Sequence, residues 1–127
     1  MNSISPELLL EVMEEPICIH RCLLTLTKSI TAALMLTYAN YQMQDLPPEA
    51  DGWFAKSQDD WLTELGLSRF EQEGARKILR NMGVLEEKRV GMPAKLHFRV
   101  NGQKLLQILS DQARSNFSKP LEQAGRR

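Results

Sequence analysis

The 127-residue sequence is poor in the residues that most enzymes and membrane proteins need. It holds two histidines, His20 and His97, and two cysteines, Cys18 and Cys22. There is no glycine-rich loop of the kind that cradles a phosphate, no serine on a nucleophile elbow and no zincin motif. With those residues missing, no enzymatic activity is expected and no cofactor is implied. No apolar run reaches the roughly 18 to 20 residues that span a bilayer, and the stretch from Ile30 to Ala39 is interrupted by Thr31, Thr37 and Tyr38. The N-terminus lacks the ordered basic, apolar and small-residue segments of a secretory leader. The expectation is a soluble, cytoplasmic protein without a membrane partner. Net charge is missing too, since 16 Lys and Arg balance 16 Asp and Glu.

That balance hides an asymmetry along the chain. Residues 1 to 67 carry three basic side chains against ten acidic ones, a net of −7, whereas residues 68 to 104 carry nine against four, a net of +5. Such a division suggests one basic surface suited to a polyanion, with the acidic half turned elsewhere or toward a protein partner. At 43% apolar and 25% charged, the chain has material for one compact domain with a single core.

Caps and periodicity divide the chain. Ser5-Pro6 opens a first helix with the stripe Leu8, Leu9, Val12 and Met13, and Pro16 ends it. Ile17 to Leu24, rich in β-branched and apolar residues, reads as a short strand or an irregular buried segment. From Thr27 or Ser29 to Gln42, Ile30, Ala33, Leu34, Thr37, Tyr38 and Tyr41 recur at helical spacing, predicting a long amphipathic scaffold helix. Pro47-Pro48 and Asp51-Gly52 mark a loop, and Trp53-Phe54-Ala55 a very short strand whose aromatics serve the core or the sheet.

Ser57 caps the next helix, with Asp59 and Asp60 in its first turn and Trp61, Leu62 and Leu65 facing inward. Gly66 ends it in a left-handed conformation, Leu67 folds back, and Ser68 caps a further helix with Glu71 as its box partner. So short a link between capped helices forces a steep crossing, which is helix-turn-helix geometry. In the second helix, Arg69 to Met82, a 100° projection puts Phe70, Gly74, Ala75, Ile78, Leu79 and Met82 on one side. Arg69, Gln72, Glu73, Arg76 and Arg80 gather on the other. Two strands follow around Gly91-Met92-Pro93-Ala94, and Leu96, Phe98 and Val100 alternate cleanly with Lys95, His97 and Arg99. The fold class expected is therefore mainly α with a small β-wing (α+β), a winged helix-turn-helix with additional N- and C-terminal helices.

After the N-cap Asn101, the residues Leu105, Leu106, Leu109, Ala113 and Phe117 mark a final helix that packs on the first helix or on another chain. The expected organisation is an N-terminal extension over 1–26, the winged domain over 27–104, the C-terminal helix over 105–117 and a frayed tail over 118–127. Two terminal amphipathic helices flanking a complete core motivate a homodimer.

The segments Thr31 to Leu36, Asp51 to Ser57, Gly66 to Glu73, Leu79 to Lys88 and Gly91 to Lys95 resemble a bacterial and phage helix-turn-helix family. That family is related in pattern to the N-terminal domains of phage and plasmid replication proteins and of DnaD-type primosome proteins. The resemblance covers about residues 16 to 105. It implies a winged helix that contacts DNA, and, without a counterpart of the additional C-terminal domain of DnaD-type proteins, a replication accessory or transcriptional regulator acting by itself.

Double-stranded DNA is thus the expected partner, with Ser68, Arg69, Gln72, Glu73, Arg76, Lys77 and Arg80 in the major groove and Lys88, Arg89 and Lys95 on the backbone or minor groove. Arg and Gln can make bidentate contacts to guanine and adenine edges. The competing expectation for the same helix is a solvated face laced by Arg69–Glu73 and Glu73–Lys77 pairs, and for the hairpin, charges that keep an edge unpaired. The scaffold would then dock a replication or regulatory protein instead. Cys18, His20 and Cys22 alternate as zinc ligands on one strand face would, but the spacing fits no common zinc motif and no fourth ligand lies nearby. No metal site is expected; the reading is of reduced core or interface cysteines beside a hydrogen-bonded histidine.

Overall fold

The computed structural model describes residues 3–117, so the tail expected to fray from Ser118 onward lies outside the described residues. In chain order the elements are α1 (Pro6–Val12), α2 (Arg21–Thr27), α3 (Ile30–Gln44), a 3-10 turn (Pro48–Ala50), β1 (Phe54–Ala55), α4 (Gln58–Leu65), α5 (Arg69–Met82), β2 (Leu85–Val90), β3 (Lys95–Val100) and α6 (Gly102–Phe117). The result is a mainly helical α+β fold in which a β2–β3 hairpin follows the helices, an arrangement consistent with a winged helix. The sheet is antiparallel in the order β1-β3-β2. No helix among the described residues is long and apolar enough to cross a membrane.

The core is built around α3. Ala32 through Thr37 and Ala39 are all buried, and six consecutive residues at about 100° apiece cover the whole helix circumference. The one-sided stripe expected from the sequence is therefore corrected: α3 is enclosed on every side, and Ile30, assigned to the stripe, is 65% exposed. The enclosing elements are α2, α5 and β3, which pack on α3. Alanine at positions 32, 33 and 39 keeps the helix thin enough to be surrounded.

Three local expectations are also corrected. The segment 17–24 is no strand; it runs extended to His20 and then enters α2, where Leu23 and Thr27, one turn apart, are buried. An apolar run of that length is ambiguous by periodicity, and the four-residue spacing favoured the helix. α1 stops at Val12, before Pro16, because Met13 is already extended. α1 also buries none of its residues, and the packing on α6 expected from the sequence is not among its principal contacts. Asn101 caps α6, its side-chain oxygen accepting from the Lys104 amide at 3.1 Å, and Leu105 buries its side chain while Leu106 stays 66% exposed.

The α4–α5 joint forms as its sequence dictates. Ser57 and Asp60 close a reciprocal capping box at 3.0 and 2.9 Å, and Ser68 and Glu71 close another at 3.2 and 2.9 Å. In each box the carboxyl is held below its ordinary range by the hydrogen bond from the serine backbone N–H, with the serine side chain assisting. Gly66 takes φ 72°, a left-handed value that costs glycine nothing, and Leu67 inserts into the core at 3% exposure. Trp61 meets Phe98 edge-on at 5.6 Å and Phe54 packs on Phe98 at 5.9 Å. Leu62, expected inward, is 52% exposed.

Candidate nucleic-acid interface

α5 leans on α3 through Ala75 and Leu79, both fully buried, and Gln72 is buried with them. Its Nε2 donates to the backbone carbonyls of Gln58 at 3.0 Å and Leu67 at 2.9 Å, which lie at the start of α4 and in the α4–α5 turn. Gln72 is thus corrected from a base-reading side chain to a tie that fixes the crossing of the two helices. Phe70 is corrected in the opposite direction: assigned to the inner side, it is 84% exposed.

The hairpin register decides which cations face α5. Leu85 pairs with Val100, Glu87 with Phe98 and Arg89 with Leu96, so these six residues share the face toward the core and α5. Glu86, Lys88, Lys95, His97 and Arg99 share the other. Lys88 accordingly turns away from α5, its Nζ 4.2 Å from the Trp53 ring centroid, and Arg99 stacks on the same ring at 4.5 Å. Arg99 also reaches Glu86 at 2.7 Å and Asp51 at 2.9 Å. Trp53 is therefore clamped between two cations on the outer sheet face, while Phe54 supplies the core.

On the inner face the decisive group is Glu87. Arg76 holds it with two parallel bonds, Nη2 to Oε1 at 2.6 Å and Nε to Oε2 at 3.0 Å, and both side chains are largely buried, 16% and 11% exposed. Arg80 adds longer contacts of 3.4 Å to both carboxylate oxygens. Burial by itself would raise the Glu87 carboxyl, but the bonds and charge of Arg76, aided by Arg80, outweigh it and hold the group below its ordinary range. Arg76 is pushed up in turn, chiefly by its bond to Glu87. Arg76 thus fastens α5 to β2, and its guanidinium is committed within the fold. The sequence signal for this was present: Leu85, Glu87 and Arg89 alternate, and an inward Leu85 requires an inward Glu87.

The remaining candidates divide as follows. Ser68 is occupied by its capping box, and Arg69 makes the expected surface pair with Glu73 at 3.5 Å, both side chains more than half exposed. Such a pair contributes little, under about 1 kcal/mol. The Glu73–Lys77 pair does not form. Lys77, Arg89 and Lys95 are exposed and have no ion-pair partner among the described residues. A groove of about 420 Å³ runs between the α4 N-terminus, α5 and the hairpin, lined among others by Ser57, Gln58, Arg76, Arg89 and Lys95. Met92 at the hairpin tip is 99% exposed. Gln58, Glu87, Phe70 and Met92 were missing from the sequence-derived site.

Lys56 is a further cation the sequence did not single out. It is buried, bonded to Glu64 at 2.7 Å and Gln42 at 3.2 Å, and sits 4.9 Å from the Trp61 ring centroid, which makes it a part of the core rather than of the surface. Cys18, His20 and Cys22 do not share a strand face. His20 Nε2 lies 2.7 Å from the Tyr41 hydroxyl, the Cys18 amide donates to the Tyr38 hydroxyl at 3.0 Å, and both cysteines are exposed thiols, not core residues. These bonds strap the extended segment onto α3. Among the described residues no group of three His, Cys, Asp or Glu side chains is placed to hold a metal ion.

Comparison with protein-family models, with curated proteins and with solved structures gave no match.

Proposed function

We propose that the chain is a winged helix-turn-helix protein that binds double-stranded DNA, with the exposed side of α5 in the major groove and the β2–β3 wing against the backbone. The observation that carries the reading is a set of exposed cations without an ion-pair partner among the described residues, Arg89 and Lys95 lining the groove between the α4 N-terminus, α5 and the hairpin and Lys77 on the exposed side of α5, beside a doubly capped, tied helix pair. Base contacts fall to Arg69, Glu73 and Lys77, and phosphate contacts to Arg89 and Lys95. Arg76, committed to Glu87, holds the reading helix at its angle. The sequence resemblance to phage and plasmid replication proteins supports a role for such an activity in replication or in transcriptional regulation.

Fluorescence anisotropy of a duplex titrated at two or more salt concentrations, beside a single-stranded control, tests this. Two phosphate-directed cations give a log–log salt slope of about −2, and Arg89→Ala and Lys95→Ala each make it shallower by about 1, whereas Lys77→Ala relaxes base preference. No binding at low salt rejects the reading. One observation favours a second reading, a protein-docking module: Phe70 on α5 and Met92 at the hairpin tip expose large apolar side chains.

A further inference from the structure

α1 is unlike the other described α-helices in burying none of its residues. At seven residues it is far below the roughly 12 to 15 at which an isolated helix holds together in water. Leu8, Leu9 and Val12 form one stripe on α1, and Glu11 lies beside it with Glu7 one turn before. Glu14 and Glu15 follow, and no basic residue occurs between Ser5 and Ile17. An acidic, leucine-rich helix that buries none of its residues against the described residues of its own copy is suited to a surface that is apolar and basic.

The molecule carries such a surface. Phe70, Gly74 and Lys77 recur at four and three along α5 and form one exposed strip. Phe70 supplies apolar area and Lys77 a cation without an ion-pair partner among the described residues, while Arg89 and Lys95 on the hairpin line a groove with Arg76 of α5 and Met92 stands exposed at the hairpin tip. Gly74 is disfavoured inside a helix relative to alanine, yet its φ is not left-handed and no atom lies within 4 Å of where a Cβ would stand. No contact among the described residues requires it, and a glycine there leaves room for close approach of another backbone.

We propose that α1 of one copy docks on the α5–hairpin face of a second copy, reciprocally, to give a two-fold dimer with two equivalent contacts. The leucine stripe covers Phe70 and Gly74, and the glutamates face Lys77, Arg89 and Lys95. This is the face assigned to DNA above, so dimer and DNA compete for it. The dimer itself requires only that the face be basic, apolar and open, and it is measured without DNA, so failure of either reading is separable from failure of the other.

Sedimentation velocity of the full chain from about 1 to 100 micromolar, at low and high salt, tests the proposal. The expected result is a monomer–dimer equilibrium weakened by salt. Leu8→Ser with Leu9→Ser weakens it at least tenfold without altering charge. Glu7→Lys with Glu11→Lys, and separately Lys77→Glu with Arg89→Glu, each abolish self-association, and mixing those two variants restores a dimer. All of these positions are exposed, and unchanged thermal melting of the monomers excludes misfolding as the cause. A chain that stays monomeric throughout, or a dimer that survives the leucine and charge variants, overturns the proposal.

Discussion

Gln72 spans two backbone carbonyls with a single amide nitrogen, and its own side chain is buried. Gln72→Ala leaves both carbonyls without that donor and is expected to destabilise the fold by about 1 to 3 kcal/mol, read from urea denaturation. Gln72→Glu, which sets a negative charge against two carbonyls, costs more. Glu87 supplies the second residue-scale expectation, with a sign fixed by its depressed carboxyl. A group held below its unfolded value stabilises fully above that value, about pH 4 to 4.5, and its contribution disappears as pH falls through the lower folded value. Urea midpoints from pH 7 to pH 3 should therefore fall more steeply on acidification for the unaltered protein than for Glu87→Gln, and the two profiles should run parallel above about pH 5. Equal profiles throughout would remove Glu87 from the acid response. Both residues show where a helical projection misleads. The buried arc of α5 is turned by about 60° from the one drawn on its apolar residues, toward Gln72 and away from Phe70, because a buried amide with two partners packs as well as a leucine.

At the scale of elements, the caps of the α4–α5 joint were legible: Ser57, Gly66, Ser68 and Glu71 act through local backbone geometry, which sequence encodes directly, whereas the Asp60 half of the first box and the outward turn of Leu62 were not read. Removing the α5 cap by Ser68→Ala should cost about 1 kcal/mol, and Gly66→Ala, which forces a Cβ into a left-handed turn, about as much. Gly74→Ala should act oppositely in the monomer, raising stability by about 0.5 to 1 kcal/mol, since the site is open and ordinarily helical. Thermal melts of the three variants check all of this, and a destabilised Gly74→Ala monomer would contradict the open geometry. The short strand β1 and its pairing with β3 could be anticipated from Trp53-Phe54-Ala55, but the sharing of roles could not. Phe54 entered the core, whereas Trp53 stayed outside because Lys88 and Arg99 converge on it from β2 and β3. Such cross-strand partners depend on register, which a linear pattern leaves open. α2 and the enclosure of α3 were missed for a related reason: how many neighbours surround a helix is a tertiary fact. The unbroken apolar run from Ala32 to Leu36 was nonetheless a signal for burial on all sides.

For the molecule as a whole, zero net charge is a poor guide to its surface. The acidic first half and the basic span from Ser68 to Lys104 oppose each other, and within the basic span Glu87 withdraws Arg76 while Glu86 and Asp51 hold Arg99. What remains available to a polyanion is fewer cations than the sequence counts, so a modest, salt-sensitive affinity for duplex DNA is expected, vanishing by a few hundred millimolar salt. A tight complex that persists in high salt would mean that apolar contacts, through Phe70 or Met92, dominate instead. The enclosure of α3 has its own consequence for how the molecule opens. Its amides from Ala32 to Ala39 are covered by α2, α5 and β3 together, and no partial detachment of one of these elements alone bares them all. In deuterium exchange this segment should be the slowest in the chain and should report the global unfolding free energy, while α1, with none of its residues buried, trades its hydrogens at nearly the rate of a free peptide.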